Sequence, residues 1–253
     1  YASTTPAVCS VAASTVSYLT AGNCMLTADE AGDDRYEAAA QEMLTIVVAK
    51  ADQTITNLAA APAAGMVGTM GTLSSTVSSG LTPAYDTSTP AVCSVAGNMV
   101  TYLTVGTCTI TADQAGDDNY NAATQVTLGV TVAPGDQVIT NFYADPDGGG
   151  VDDTSTLFAT GGNSTSEVIF SSATPDICTV SGNVVTYIAT GTCTVLADQA
   201  ADANYLAADT LAIDLQVSEA TSIPTLSQWG LISMFLIMLG LGGMVLRRRD
   251  LLN

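Results

Sequence analysis

The sequence predicts an all-β protein of tandem β-sandwich modules followed by a single C-terminal transmembrane helix. Three observations carry that expectation: a segment recurs about every 84 residues, apolar and polar residues alternate with a period of two inside each recurrence, and helical periodicity is absent until the C-terminus.

The recurrence is direct. Thr5-Pro-Ala-Val-Cys9-Ser-Val returns as Thr89-Pro-Ala-Val-Cys93-Ser-Val and as Thr174-Pro-Asp-Ile-Cys178-Thr-Val, at spacings of 84 and 85, and Asp52-Gln-Thr-Ile-Thr-Asn returns as Asp136-Gln-Val-Ile-Thr-Asn. The organisation expected is the C-terminal half of a repeat over 1–50, full repeats over 51–134 and 135–217, and a linker, motif, helix and basic tail over 218–253. Because Tyr1 falls in the middle of a module with no initiating Met or signal peptide, the chain reads as a fragment, with an export signal and further modules expected upstream.

Strands follow from the alternation. Cys108, Ile110 and Ala112 interleave with Thr107, Thr109, Thr111 and Asp113, and the same face returns as Cys24, Leu26, Ala28 and as Cys193, Val195, Ala197. A closing strand carries Val126, Leu128, Val130 and Val132, matched by Leu44, Ile46, Val48 and by Leu211, Ile213, Leu215, Val217. Ala96-Gly97-Asn98 and Ser181-Gly182-Asn183 supply the positive-φ residues of a tight hairpin, whereas the first repeat has Ala12-Ala13-Ser14 there, without glycine. Tyr18, Tyr102 and Tyr187 share strand parity with Val16, Val100 and Val185, which predicts that they are core. Modules of this length with about seven short strands have the size and pattern of an immunoglobulin-like sandwich.

Composition excludes much chemistry. The chain has no histidine and five basic residues among 253, so neither an imidazole-activated nucleophile nor a histidine-ligated zinc site can be assembled. An acid/base pair of carboxylates remains formally open, but the expectation is that the protein is not an enzyme. Residues 1–246 hold two bases, Arg35 and Lys50, against 23 acids, a formal charge of −21. Such a surface repels nucleic acid and attracts cations, and it also keeps a Thr- and Ala-rich surface soluble.

Each repeat contributes two cysteines 15 apart: Cys9 and Cys24, Cys93 and Cys108, Cys178 and Cys193. One disulfide per module in an oxidising compartment is the expected use, stabilising by roughly 3 kcal/mol per closed loop. Metal binding and inter-chain crosslinking are the alternatives.

An acidic loop follows the second cysteine strand of each repeat: Asp29 to Ala39, Asp113 to Ala123, Asp198 to Ala208. Asp113, Asp117 and Asp118 offer several hard oxygens for calcium, as do Asp29, Asp33 and Asp34. The third repeat keeps only Asp198 and Asp202 and has Ala201 for Gly116. The opposing reading is a solvated loop whose Tyr36, Tyr120 or Tyr205 packs down as a corner residue. A second acidic stretch is peculiar to the third repeat: Asp145, Asp147, Asp152 and Asp153 surround three glycines as in a cation loop, or else decorate an irregular connection. Aromatic residues are few, and no ligand platform is evident. No cofactor is expected beyond calcium.

Gly230 to Leu246 runs 17 residues without a charge, Trp229 precedes it and Arg247, Arg248 and Arg249 close it. That order suits a membrane span over 230–246 with the repeats outside the inner membrane and the tail in the cytoplasm. Ile223-Pro-Thr-Leu226-Ser-Gln-Trp229-Gly230, an apolar helix and a basic stop resemble the IPTL-CTERM sorting signal of Gram-negative bacteria. The resemblance implies that an exosortase-type enzyme recognises Ile223, Pro224, Thr225 and Leu226, removes the helix and passes the ectodomain to the cell surface or extracellular matrix.

The repeats in turn resemble bacterial Ig-like modules of large surface proteins, through Thr-Pro-Ala-Val-Cys, Gly-Asn, Gly-Thr-Cys-Thr-Ile-Thr-Ala and Asn119-Tyr120-Asn-Ala-Ala. Such modules imply either a repetitive stalk or an adhesin that binds glycan, protein or calcium.

Overall fold

The computed structural model describes residues 1–219. The predicted motif and the predicted helix at 230–246 lie outside the described residues. The described residues form two compact units, one of 1–137, 163–165 and 201–207, the other of 138–162, 166–200 and 208–219.

Within the first unit, residues 1–50 form β1 (Ala2–Ser3), β2 (Cys9–Ala12), β3 (Thr15–Tyr18), β4 (Gly22–Ala28) and β5 (Glu42–Val48). Next come β6 (Ile55–Ala61), β7 (Gly65–Met66), β8 (Met70–Val77), β9 (Ala84–Thr87), β10 (Cys93–Ala96), β11 (Met99–Tyr102), β12 (Gly106–Asp113) and β13 (Val126–Ala133). These last eight make two sheets, ordered β10-β11-β8-β6 and β7-β13-β12-β9. Counting β6 and β7 as one strand that changes sheets, the first sheet holds strands one, two, five and four, and the second holds three, six and seven. This is the strand order of an immunoglobulin sandwich. Among the described residues the fold is therefore all-β, as the alternating pattern predicted.

The two inner faces meet in one core. Ala60, Leu73, Cys93, Val100 and Tyr102 come from the first sheet, and Cys108, Ile110, Val130 and Val132 from the second. Burial follows the period of two over the first part of this strand, with Cys108 and Ile110 fully buried, Thr107 exposed and Thr109 half-buried; further along, Thr111 is buried as well as Ala112. Gly65, on the short strand that has crossed sheets, admits no side chain, because a Cβ there would stand 2.7 Å from the Tyr102 ring.

The second unit repeats this plan with β14 (Thr140–Asp145), β15 (Gly148–Gly150), β16 (Thr154–Thr160), β17 (Val168–Ser172), β18 (Cys178–Ser181), β19 (Val184–Tyr187), β20 (Gly191–Gln199) and β21 (Leu211–Ser218). Its sheets are β14-β16-β19-β18 and β15-β21-β20-β17. The recurring Thr-Asn acquires a reason here. Asn57 (φ 55°) and Asn141 (φ 53°) sit at the bulges between Thr56 and Ala59 and between Thr140 and Tyr143. Asparagine tolerates that left-handed backbone better than most residues.

Residues 1–50 hold counterparts of strands three to seven only, as the sheets β1-β4-β5 and β2-β3. Tyr102 and Tyr187 are fully buried, as their parity predicts, and Tyr18 is 54% exposed where residues 1–50 supply no counterparts of β6, β7 and β8. The glycine-free turn also differs only in chemistry: Ala13 takes φ 55° where Gly97 has 61° and Gly182 has 59°, so the hairpin forms with a side chain in a region that favours glycine.

Candidate functional site

The six cysteines form Cys9–Cys24, Cys93–Cys108 and Cys178–Cys193, each with Cα atoms 5.6 or 5.7 Å apart. Each bond joins the fourth strand of one sheet to the sixth strand of the other and is fully buried. Metal-binding and inter-chain roles for these thiols drop out.

The acidic loops are built by their own backbone. Asp117 Oδ1 accepts the N–H groups of Asn119 and Tyr120 at 2.8 and 2.9 Å. Asp33 does the same for Arg35 and Tyr36, and Asp202 for Asn204 and Tyr205. Asp202 also accepts from the N–H and hydroxyl of Thr165, and these N–H donors, Thr165 first, hold its carboxyl below the ordinary range. The neighbouring acid spans the base of the loop: Gln125 Nε2 donates to both oxygens of Asp113 at 3.0 and 2.9 Å. Asp118 points to solvent.

Asp145, Asp147, Asp152 and Asp153 are all exposed, and Asp153 Oδ2 accepts the N–H of Gly150 at 2.8 Å. Their stretch has the same backbone course as Ala61 to Thr69. A cis proline follows Ala61 as it follows Asp145, and β15 pairs in parallel with β21 as β7 does with β13. What reads in sequence as an irregular connection is the strand that changes sheets. Among the described residues, no three acidic or cysteine groups lie close enough together to hold a metal ion.

Tyr205, at the end of its acidic loop, is not a corner of its own sandwich. Tyr205 packs against the core cluster of residues 60–132, and a Cβ on Gly135 would stand 3.3 Å from its ring. Gly135 N–H donates to Asn204 O, Leu206 N–H donates to Gly135 O, and Val105 N–H donates to Asn204 Oδ1. The loop one repeat earlier does likewise. Ala51 N–H donates to Asn119 O, Asn121 N–H donates to Ala51 O, and Ala21 N–H donates to Asn119 Oδ1. Beneath each loop lies a buried glutamine: Gln53 Nε2 donates to Asn121 O and Gln137 Nε2 to Leu206 O, both at 2.7 Å. Sequence reasoning missed Asn119, Asn204, Gln53 and Gln137. Their only signal was recurrence within the repeat.

It also missed an aromatic pair. Tyr143 and Phe158 face each other across β14 and β16 and stack at 5.0 Å, 52% and 42% exposed. The register-matched pair in the preceding sandwich is Ala59 and Ser74. Setting the repeats side by side at a spacing of 84 would have exposed the change.

Strand order and buried inter-sheet disulfides define a chain of immunoglobulin-like sandwiches. At its C-terminus, residues 221–249 match the IPTL-CTERM motif, so the chain carries that sorting signal. Among solved structures it is similar to domains 4 and 5 of the S-layer protein SbsC, at 15% identity over 67% of this chain and 99% of that one, with a TM-score of 0.23. It is also similar to FdeC, an Escherichia coli adhesin, at 16% identity over 80% and 76% of the two chains, with a TM-score of 0.28. A third likeness, to the N-terminal eight Ig domains of Down Syndrome Cell Adhesion Molecule, has 14% identity over 80% of this chain and 28% of that one, with a TM-score of 0.34. No curated protein matches the chain.

Proposed function

We propose that this chain is part of a non-catalytic, exported surface protein whose disulfide-stapled sandwiches form a repetitive stalk. The observation that carries the reading is the sameness of the repeats: sheet order, bulge, hairpin and buried disulfide recur with few changes. A spacer needs stability and length, which repetition supplies, and its acidic surface resists collapse onto anionic lipid.

The sorting signal supports delivery by an exosortase-type system. In this reading Ile223, Pro224, Thr225 and Leu226 are the recognised residues, Trp229 and Gly230 lead into a span over 230–246, and Arg247, Arg248 and Arg249 hold the tail in the cytoplasm. The inner membrane is the intermediate, and the cell surface or matrix the destination. Fractionating a host that has such a system tests this. The chain should reach the surface, while Pro224→Ala with Thr225→Ala should stay in the membrane fraction. Equal surface yield from both would sink the sorting reading.

One observation favours a second reading, an adhesin that binds glycan or protein through the third repeat. Only that full repeat carries the exposed Tyr143–Phe158 stack, and exposed aromatic faces suit sugar rings or apolar side chains. Glycan-array or cell binding lost on Tyr143→Ala with Phe158→Ser would favour the adhesin. No binding at all leaves the stalk, and binding unaltered by that pair removes the stack as its seat.

A further inference from the structure

The loop after each second cysteine strand makes contacts that neither the sandwich core nor the sorting signal requires. Asn119 reaches 98 positions back to Ala21, and Asn204 reaches 99 positions back to Val105, each accepting a backbone N–H at 3.0 Å through Oδ1. Ala51 and Gly135, the residues that follow the last strand of the preceding repeat, are each bracketed by two backbone hydrogen bonds from the same loop. All of these residues belong to the first unit. Two independent instances with the same donors, acceptors and distances point to a built contact.

We propose that this loop is a binding site for the preceding repeat, a clamp that closes on that repeat's turn and on the residue leaving its last strand. The asparagine carboxamide accepts from the turn between that repeat's fifth and sixth strands, and the backbone flanking the tyrosine pairs with the residue leaving its seventh. The buried glutamine braces the loop from below. Asp117 and Asp202 then serve to shape the clamp by capping two N–H groups each, which accounts for an acid at that place without a bound cation. The half-repeat has the shaping acid, Asp33, but carries Arg35 at the asparagine position. A guanidinium has no acceptor, so that loop lacks the key contact. This inference goes beyond the stalk reading and does not rest on it, since an adhesin could use the same clamp.

Hydrogen exchange on the oxidised full chain tests it. Asn119→Ala should speed exchange at the Ala21 and Ala51 amides by about tenfold and leave Val105, Gly135 and the Cys108 strand unchanged. Asn204→Ala should do the reverse, and Asn119→Asp, which keeps an acceptor oxygen, should retain most of the protection. A chelator should change none of these amides. Unchanged exchange in both alanine variants, acceleration spread through the whole sandwich, or a clamp that loosens on chelation would each overturn the proposal. The surface-sorting and ligand-binding results stand apart from all three outcomes.

Discussion

Tyr102 and Tyr187 occupy the same place in successive sandwiches, both fully buried, yet their hydroxyls meet different fates. Tyr187 Oη shares a 2.6 Å hydrogen bond with Ser155, whereas the position that matches Ser155 is Gly71, and Tyr102 Oη has no partner among the described residues. Burial pushes the Tyr102 phenol above its ordinary pKa. One missing hydroxymethyl group therefore separates a satisfied core from an unsatisfied one.

The comparison breaks if the disulfides differ in weight. Replacing Cys178 and Cys193 by alanine should cost about 3 kcal/mol, and the same change at Cys93 and Cys108 should cost as much, because both close loops of equal length. Denaturant titration read separately on the two units checks this. Next in size, Ser155→Ala strands Tyr187 Oη and should destabilise the second unit by about 1–3 kcal/mol, making it like the first.

The converse change sharpens the contrast. Gly71→Ser should stabilise the first unit by about 1 kcal/mol, read as a raised denaturation midpoint. A Cβ there would lie 3.1 Å from Tyr102 Oη and 3.2 Å from Val100, a fit the second unit achieves around Ser155 with Val185 in the matching place. Smaller again, Ala13→Gly relieves a side chain held at positive φ but gives the unfolded chain more freedom, so it should slow exchange in the β2–β3 hairpin by a net effect of about 0.5 kcal/mol.

The smallest effect concerns pH. Because Asp202 has a lowered pKa, its contribution is present above the ordinary carboxylate value and is lost as pH falls below that value through the lowered one. Exchange at Thr165, Asn204 and Tyr205 should accelerate over that acidic window.

Much of this architecture was legible in the residues themselves. Alternation around Cys108 and Cys193 located the sixth strands, the cysteine spacing located the disulfides, and Gly97 and Gly182 located the hairpins. These are local signals, set by side-chain parity and backbone freedom. The acidic stretch from Asp145 to Asp153 misled, since charge drew the eye away from Pro146 and Gly149, whose partners Pro62 and Gly65 mark the strand that changes sheets.

Sequence by itself determined the all-β class, the repeat, the pairing of cysteines and the sorting motif, because each rests on a period or spacing within one segment. Tertiary structure alone decided which hydroxyl is satisfied and what Asn119 and Asn204 hold. Those outcomes depend on groups brought together from 32 to 99 positions apart, where no local pattern reports the partner.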